Sequence, residues 1–245
     1  MLDILYRDEH LVAIHKPAGL LVHRTMLDRH ETRFAVQLLR DQIGQHVWPV
    51  HRLDRGTSGV LLFALDATSL RAAATQFEHG TVTKEYRAVV RGWPDAAGEI
   101  DHSLPRILDN TDRGHPDALN APQAACTRYQ RLSQCELPLP DGRFPTSRYA
   151  LLALQPQTGR RHQIRRHLKH IAHPIIGDAT YGKGPHNRAI AALSGHTRLL
   201  LACTHLGLQH PVHGAPLAIH CDIAADFASS LQAMHLACDT SSSMP

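Results

Sequence analysis

Six short runs of apolar and β-branched residues set the strongest limit on the fold of this chain. They lie near residues 3–6, 11–15, 59–65, 83–91, 147–155 and 198–209. Runs of this length and composition are typical of β-strands. Two segments between them, residues 33–43 and 67–78, carry apolar residues at helical spacing. Strands mixed with helices in this way predict an α+β fold around a mixed or mostly antiparallel sheet with flanking helices.

Three further segments lack such periodicity. Residues 94–122 are rich in Pro, Gly, Asp and Asn, so we expect a long surface loop or insertion there. Residues 136–146 have the composition of a hairpin connection. We expect the polar tail, residues 239–245, to be disordered. A chain of 245 residues can form one large domain or two small ones, and we expect a single domain over residues 1–238.

Composition narrows the class of protein. The apolar fraction of 43% and the charged fraction of 20% are ordinary for a soluble globular chain. The first ten residues include acids and lack the apolar centre of a signal peptide, and no apolar run is long enough to cross a membrane. The five cysteines contain no C-x-x-C pair, which argues against a disulfide framework and a cysteine zinc site. We therefore expect a monomer in the reducing cytoplasm, without an obligate protein partner.

A basic segment free of acidic residues gives the first indication of function. Residues 142–177 contain no Asp or Glu. The same residues include six arginines, one lysine and four histidines. A segment rich in charged residues usually lies on a solvent-exposed surface of the protein. Here no acid neutralises it, and the resulting self-repulsion favours a bound anion such as nucleic acid or phosphate.

The basic segment also carries a helical pattern. After Gly159, apolar residues recur at helical spacing as Ile164, Leu168 and Ile171. At about 100° per residue, Arg161 and Arg165 lie at one edge of this apolar face. The residues that point away from it are His162, Arg166 and Lys169. One helix would then offer some arginines to a buried site and others to an RNA backbone.

Residues 51–59, with the sequence HRLDRGTSG, place an aspartate between two arginines. We expect the positive charges of Arg52 and Arg55 to keep the Asp54 carboxylate ionised. Thr57 and the two residues after it form a polar turn that leads into a predicted core strand. Taken alone, an aspartate between arginines is more often a structural ion pair than a catalyst.

This string resembles the signature of the RluA family of pseudouridine synthases. Three further segments are similar to motifs of that family, in the expected order. They are residues 16–23, 83–88 and 158–168, the last followed by 173–178. The resemblance runs from about residue 2 to about residue 225, and one departure is His15, where the family usually has Asn. The resemblance implies the pseudouridine synthase fold with a central active-site cleft.

The resemblance also implies an RNA isomerase that needs neither cofactor nor metal. Conversion of uridine to pseudouridine breaks the N1–C1′ bond, turns the base and joins C5 to C1′. The family match assigns the required carboxylate to Asp54, as a nucleophile at C1′ or as a base at C2′. The target base must be flipped into a pocket, and the match implies that Arg52 fills the gap left behind.

Further site residues follow from the same match. Tyr86 alternates onto one strand face with Lys84. It is either a plain core residue or, as the family implies, a ring that stacks on the flipped base. Stacking of one base on an aromatic ring contributes about 1–3 kcal/mol to binding. Arg165 is the best candidate to orient Asp54 through an ion pair, and Arg160 is the alternative. The residues expected to contact RNA are Arg52, Lys84, Arg160, Arg161, His162, Arg166 and Lys169.

Three other functions fit parts of the sequence. The 20 histidines invite a metal site. The candidate ligands are His162, His167, His170 and His173, or His205, His210 and His213; their spacing matches no zinc or iron signature. A non-catalytic RNA-binding function would not explain why Asp54, Tyr86 and Arg165 occur together. A hydrolase that uses Asp54, such as an N-glycosidase, would release free uracil.

The position of the first motif bears on the RNA substrate. It begins at Lys16, so we expect no RNA-binding module of the S4 type ahead of it. RNA binding by the catalytic domain itself favours a compact substrate such as a tRNA stem-loop. Residues 21–24, 27–29 and 41–47 resemble the tRNA-specific branch of the family, which modifies the uridine at tRNA position 65 in the T-stem. Ribosomal RNA is the alternative substrate.

Overall fold

The computed structural model describes residues 1–23, 32–107 and 121–237. The strands are β1 Asp3–Arg7, β2 Leu11–Lys16, β3 Trp48–Pro49, β4 Ser58–Ala64, β5 Thr83–Arg91, β6 Ala97–Asp101, β7 Leu104–Pro105, β8 Pro122–Gln123, β9 Cys126–Leu137, β10 Ser147–Pro156, β11 Leu201–Gln209 and β12 Pro216–His220. The helices are α1 Ala35–Ile43, α2 Ala67–Glu78, α3 Gln163–His170, α4 Gly184–Ser194 and α5 Ala225–Ala233. These elements give the α+β fold with a mixed sheet that the sequence predicts.

The chain folds as two compact units. The first consists of Met1–Arg87 and Leu201–Ala228, and the second of Ala88–Leu200 and Ser229–Pro245. The single domain expected over residues 1–238 stays a prediction.

The first unit contains a mixed sheet with the strand order β1-β2-β4-β11, and the first half of β5, residues 83–87, lies next to β11. Strand β2 is antiparallel to both β1 and β4, whereas β11 runs parallel to β4. All seven residues of β4 are buried, because this strand lies inside the sheet between β2 and β11. Its apolar side chains form one core with β2 and with the buried faces of α1 and α2.

Local signals explain the limits of α1 and α2. Helix α2 begins after Asp66, whose carboxylate accepts the backbone N–H of Ser69 at 2.8 Å. An N-cap of this kind satisfies one of the free amides of the first turn. Helix α1 ends at Gly44, which has φ of +68°, a conformation that glycine adopts at no steric cost.

The second unit contains a long antiparallel hairpin. Strands β9 and β10 form it, and β6 extends it at the outer edge of β9. Its connection, residues 138–146, agrees with the hairpin predicted for 136–146. Strand β10 is almost wholly buried, and α3 packs against it.

The structure corrects one prediction and supplies several elements that the sequence did not reveal. Residues 94–122 are not simply a surface loop, because Ala97–Asp101 forms β6 and pairs with β9. A five-residue strand whose one large apolar residue is Ile100 has too little periodicity to be recognised. Strands β9 and β12 and helices α4 and α5 were also missed. Residues 108–120 and the predicted disordered tail lie outside the described residues.

Two observations concern the expected environment of the chain. Within the described ranges, no helix is both long enough and apolar enough to span a membrane. Four cysteines of the described chain, Cys126, Cys135, Cys203 and Cys221, are free thiols.

Candidate active site

The loop between β3 and β4 carries Asp54. It closes with a turn in which the N–H of Thr57 donates to the carbonyl of Asp54 at 3.1 Å. Thr57 and Ser58 are buried, while the flanking Arg52 and Arg55 are exposed and Asp54 is half-buried. The carboxylate therefore sits at the point where a polar turn enters the core, as the sequence predicts.

A buried lysine fixes this loop. Lys16 is fully buried, and its ammonium donates to the carbonyls of Pro17, Leu20 and Arg55 at 2.9, 2.8 and 3.2 Å. The N–H of Gly19 also donates to the Arg55 carbonyl, at 2.8 Å. A buried ammonium needs such acceptors, so the first motif holds the loop that carries the carboxylate. The sequence pointed to this motif but not to Lys16 as a positioning residue.

The structure explains why residues 51–59 end in a glycine, Gly59. In the parallel pairing of β4 with β11, Gly59 lies opposite Cys203. It has φ of +111°, and a Cβ atom there would lie 2.0 Å from the carbonyl oxygen of Cys203. Only glycine permits this backbone approach, which brings the Asp54 loop to the edge of β11.

Tyr86 on β5 lies close to the Asp54 carboxylate. Burial raises the pKa of the Tyr86 phenol well above its usual value, and Cys203 and the negative charge of Asp54 raise it further. The phenol therefore stays protonated at neutral pH, and its hydroxyl donates a hydrogen bond to the Cys203 sulfur. Tyr86 also packs against the core of the first unit, and its role as a ring that stacks on the flipped base stays a prediction.

Lys84 and His51 complete the surroundings of this site in the first unit. Burial lowers the pKa of the Lys84 ammonium, which is half-buried and not part of an open surface. Burial, followed by the charge of Lys84, lowers the pKa of His51 to about 4. His51 is thus neutral, and its Nε2 accepts the backbone N–H of Leu62 at 3.1 Å while its ring stacks on Phe77. It supports the loop as a neutral imidazole.

Arg165 on α3 is buried in the second unit and makes a bidentate ion pair. Its Nε and Nη2 donate to the two carboxylate oxygens of Asp178 at 2.7 and 2.9 Å. Burial raises the pKa of Asp178, but the hydrogen bonds from Arg165 and from the amides of Tyr181 and Thr180 outweigh it, so the pKa is lowered. The Arg165 guanidinium also lies over the Tyr181 ring, at 5.1 Å. The predicted pairing of Arg165 with Asp54 joins residues of the two units and stays a prediction.

The structure gives the predicted RNA-contacting side chains different surroundings. Arg52, Arg160 and Lys169 are exposed, whereas Arg161, His162 and Arg166 are half-buried. Two of the arginines contact backbone: Arg160 donates to the carbonyl of Ala124 at 3.1 Å, and Arg166 to that of Pro105 at 2.9 Å.

His162 is held differently from the arginines, since its Nδ1 lies 3.0 Å from the Tyr181 hydroxyl. The apolar face predicted for the helix is confirmed at Ile164 and Leu168.

The histidines do not assemble into a recognisable metal centre in the part of the chain that the structure describes. No group of three or more His, Cys, Asp or Glu side chains there has the geometry to hold a metal ion. His167 shows how one of the candidate ligands is used: it is buried, and its ring nitrogens contact the Thr127 hydroxyl and the His102 carbonyl.

The sequence pattern of one known family, RNA pseudouridylate synthase, matches residues 10–170. The chain belongs to this family. The matched residues include the Asp54 loop, Tyr86 and Arg165, and the fold agrees: human RNA pseudouridylate synthase domain containing 4 superimposes with a TM-score of 0.68 and 26% identity, covering 95% of this chain and 93% of that one. The resemblance to the RluA type is thus confirmed.

Two bacterial relatives are more similar in sequence. The tRNA pseudouridine synthase C of Yersinia pestis is 51% identical over 219 residues, which cover 89% of this chain and 85% of the relative. The tRNA pseudouridine synthase C of Vibrio cholerae is 48% identical over 89% of this chain and 90% of the relative. The similarity thus extends over most of the length of these proteins.

Proposed function

We propose that this pseudouridine synthase acts on tRNA and isomerises the uridine at position 65 of the T-stem. The observation that carries the reaction is the Asp54 loop, held by the buried Lys16 and electrostatically linked to Tyr86. The relatives named tRNA pseudouridine synthase C support the tRNA substrate. Position 65 rests on the likeness of residues 21–24, 27–29 and 41–47 to the tRNA-specific branch; residues 24–31 lie outside the described ranges.

The proposed reaction assigns Asp54 the chemistry at the sugar. The carboxylate either attacks C1′ as N1 leaves and is displaced when C5 joins C1′, or removes the C2′ proton as N1 leaves and returns it when C5 joins C1′. In both routes C5 then loses its proton and N1 gains one. All atoms of the uridine are kept. Arg52, exposed at the mouth of the loop, fills the space that the flipped base leaves.

Tyr86 is proposed to hold the flipped base. Its ring is half-buried against the core of the first unit, so its orientation is fixed before RNA binds. Stacking of a base on such a ring is worth about 1–3 kcal/mol. Because the phenol stays neutral, it adds no second negative charge beside Asp54.

The remaining proposed roles concern the surroundings of the reaction. Exposed Arg52, Arg160 and Lys169 are proposed to contact RNA phosphates. The free thiols of the described cysteines fit the reducing cytoplasm, where a monomer would act.

The test is to incubate the protein with an unmodified tRNA transcript and a ribosomal RNA fragment, map pseudouridine and measure free uracil. Modification at tRNA position 65 without free uracil is expected. Asp54→Asn should abolish turnover and leave the RNA Kd within a few fold, whereas Asp95→Asn, the same change at an exposed position between β5 and β6, should leave both unchanged.

Each part of the proposal has its own contradicting result. Modification confined to ribosomal RNA would overturn the tRNA substrate, and release of uracil would indicate a hydrolase. Turnover by the Asp54→Asn variant would remove Asp54 from the mechanism.

A further inference from the structure

Tyr181 contacts three side chains that the sequence places in the site, although it carries no predicted role itself. It is half-buried in the turn between α3 and α4. Its hydroxyl lies 3.0 Å from Nδ1 of His162, and its ring lies beside the charged groups of Arg165 and Lys169. These contacts all lie within the second unit.

The three contacted side chains form one stripe along α3. His162 is the N-cap residue of the helix, and Arg165 and Lys169 follow it three and seven positions later. Residues spaced three and four apart are neighbours on the surface of a helix. One ring that meets all three therefore sets their positions relative to one another.

The turn that carries Tyr181 is built on the same carboxylate that pairs with Arg165. Oδ1 of Asp178 accepts the backbone N–H groups of Thr180 and Tyr181, both at 2.9 Å. The carboxylate also accepts two hydrogen bonds from Arg165, at 2.7 and 2.9 Å. The turn closes where the N–H of Gly182 donates to the Asp178 carbonyl at 3.1 Å. Because the Asp178 side chain is fully buried, the tyrosine is anchored against α3 before RNA binds.

His162 has a strained backbone, and Tyr181 orients its side chain. N-cap residues usually have an extended backbone, whereas His162 has φ of +56° and ψ of +25°. This left-handed region is unfavourable for a residue that carries a Cβ atom. Strained residues of this kind persist where the surrounding structure holds them, and they are concentrated at functional sites. The contact between Nδ1 and the Tyr181 hydroxyl fixes the imidazole at the start of α3.

The ring of Tyr181 brings two cations together. The Cζ atom of Arg165 lies 5.1 Å from the ring centroid, and Nζ of Lys169 lies 5.7 Å from it. Like charges four residues apart on a helix repel each other. A cation within about 6 Å of an aromatic ring is attracted by the negative charge of its face. The ring therefore offsets the repulsion and holds both side chains near one place.

We propose that Tyr181 is a positioning residue for RNA binding and turnover. Its hydroxyl fixes the His162 imidazole, and its ring fixes Arg165 and Lys169, so that α3 meets the RNA with these side chains already in place. Side chains that are ordered in advance bind at a smaller entropic cost. The inference rests on the proposed function, because the RNA that α3 meets is the proposed substrate.

The experiment separates the hydroxyl from the ring in variants of the full chain. Tyr181→Phe removes the hydroxyl and keeps the ring, whereas Tyr181→Leu removes both. Tyr181→Phe is also made together with His162→Ala. The control is Tyr129→Phe, the same change at a buried tyrosine on β9. The Kd for a tRNA transcript is measured between about 50 and 200 mM salt, together with kcat at saturating RNA and the melting temperature.

Tyr181→Phe should raise the RNA Kd about threefold to tenfold, the effect of one hydrogen bond, and leave kcat unchanged. In the His162→Ala background it should have no further effect, because the hydroxyl acts through the imidazole. Tyr181→Leu should reduce the slope of log K against log salt by about one unit, since Lys169 is no longer held. It should also lower kcat, because it alone removes the ring from Arg165. Tyr129→Phe should match the wild type.

Three results would overturn the inference. One is an RNA Kd for Tyr181→Phe equal to that of Tyr129→Phe, and another is an equal rise in Kd with and without His162→Ala. The third is a Tyr181→Leu variant with a lower melting temperature but unchanged Kd and kcat, which would mean that the ring only fills space. If Tyr181→Leu does not fold, the double variant decides. Failure of the proposed function is separate: a wild type that shows the Tyr181–His162 coupling in tRNA binding but forms no pseudouridine contradicts only the proposed function.

Discussion

Replacing Asp178 with asparagine should lower the free energy of unfolding by about 3 kcal/mol, because it removes the carboxylate that makes two hydrogen bonds with the buried Arg165 guanidinium. The Asp178 side chain is fully buried and that of Arg165 is 11% exposed. Removing one partner of a buried pair is typically worth about 3–5 kcal/mol. We expect the lower end, since asparagine keeps an acceptor for the amides of Thr180 and Tyr181, which both lie 2.9 Å from Oδ1.

Urea denaturation at several pH values measures this effect. The pKa of Asp178 is lowered from its ordinary value of 3.8, so the ion pair stabilises the fold above about pH 4 and loses its contribution as the pH falls through the folded-state pKa. The difference in the free energy of unfolding between the wild type and Asp178→Asn should therefore be largest at pH 7 and should decrease below pH 4. Asp41→Asn, which breaks the exposed pair with Arg40, should change stability by less than about 1 kcal/mol.

A double-mutant cycle with Arg165→Met tests the reasoning further. Removing both charges should be less destabilising than the sum of the single changes, since each single change removes the same two hydrogen bonds. The reasoning is refuted if Asp178→Asn is as mild as Asp41→Asn, or if its effect does not depend on pH.

Three further predictions concern the Asp54 loop and α3. Gly59→Ala should destabilise the protein by at least about 3 kcal/mol, because positive-φ strain of about 1–3 kcal/mol adds to the clash with Cys203. Gly142→Ala is the control, because Gly142 has φ of +91° and no neighbour within 4 Å, so this variant should show the backbone strain alone. If urea denaturation gives both variants the same loss of unfolding free energy, the clash at Gly59 is contradicted. Lys169→Ala should reduce the salt slope of RNA binding by about one unit. Arg166→Ala should mainly lower the melting temperature, since Arg166 bonds a backbone carbonyl; an unchanged slope for Lys169→Ala would mean that this lysine is only solvated.

Local signals made much of the fold predictable. The predicted limits of β5 and α2, residues 83–91 and 67–78, agree with the structure. Each element carries its own periodicity, and Asp66 caps the helix from the adjacent position. The position of Asp54 in a turn before a buried strand was likewise readable, because seven consecutive residues of that strand are buried and mostly apolar.

The tertiary structure decided which side chains meet. One buried partner of Arg165 is Asp178, 13 residues away, and Lys16 reaches the carbonyl of Arg55 across 39 residues. Strand β6 exists because β9 supplies its hydrogen bonds. Local periodicity records which face of an element is buried, but the choice of partner depends on where the rest of the chain brings its donors and acceptors. For that reason the sequence by itself determined many of the elements and the position of the Asp54 loop, whereas only the folded chain determined what holds them in place.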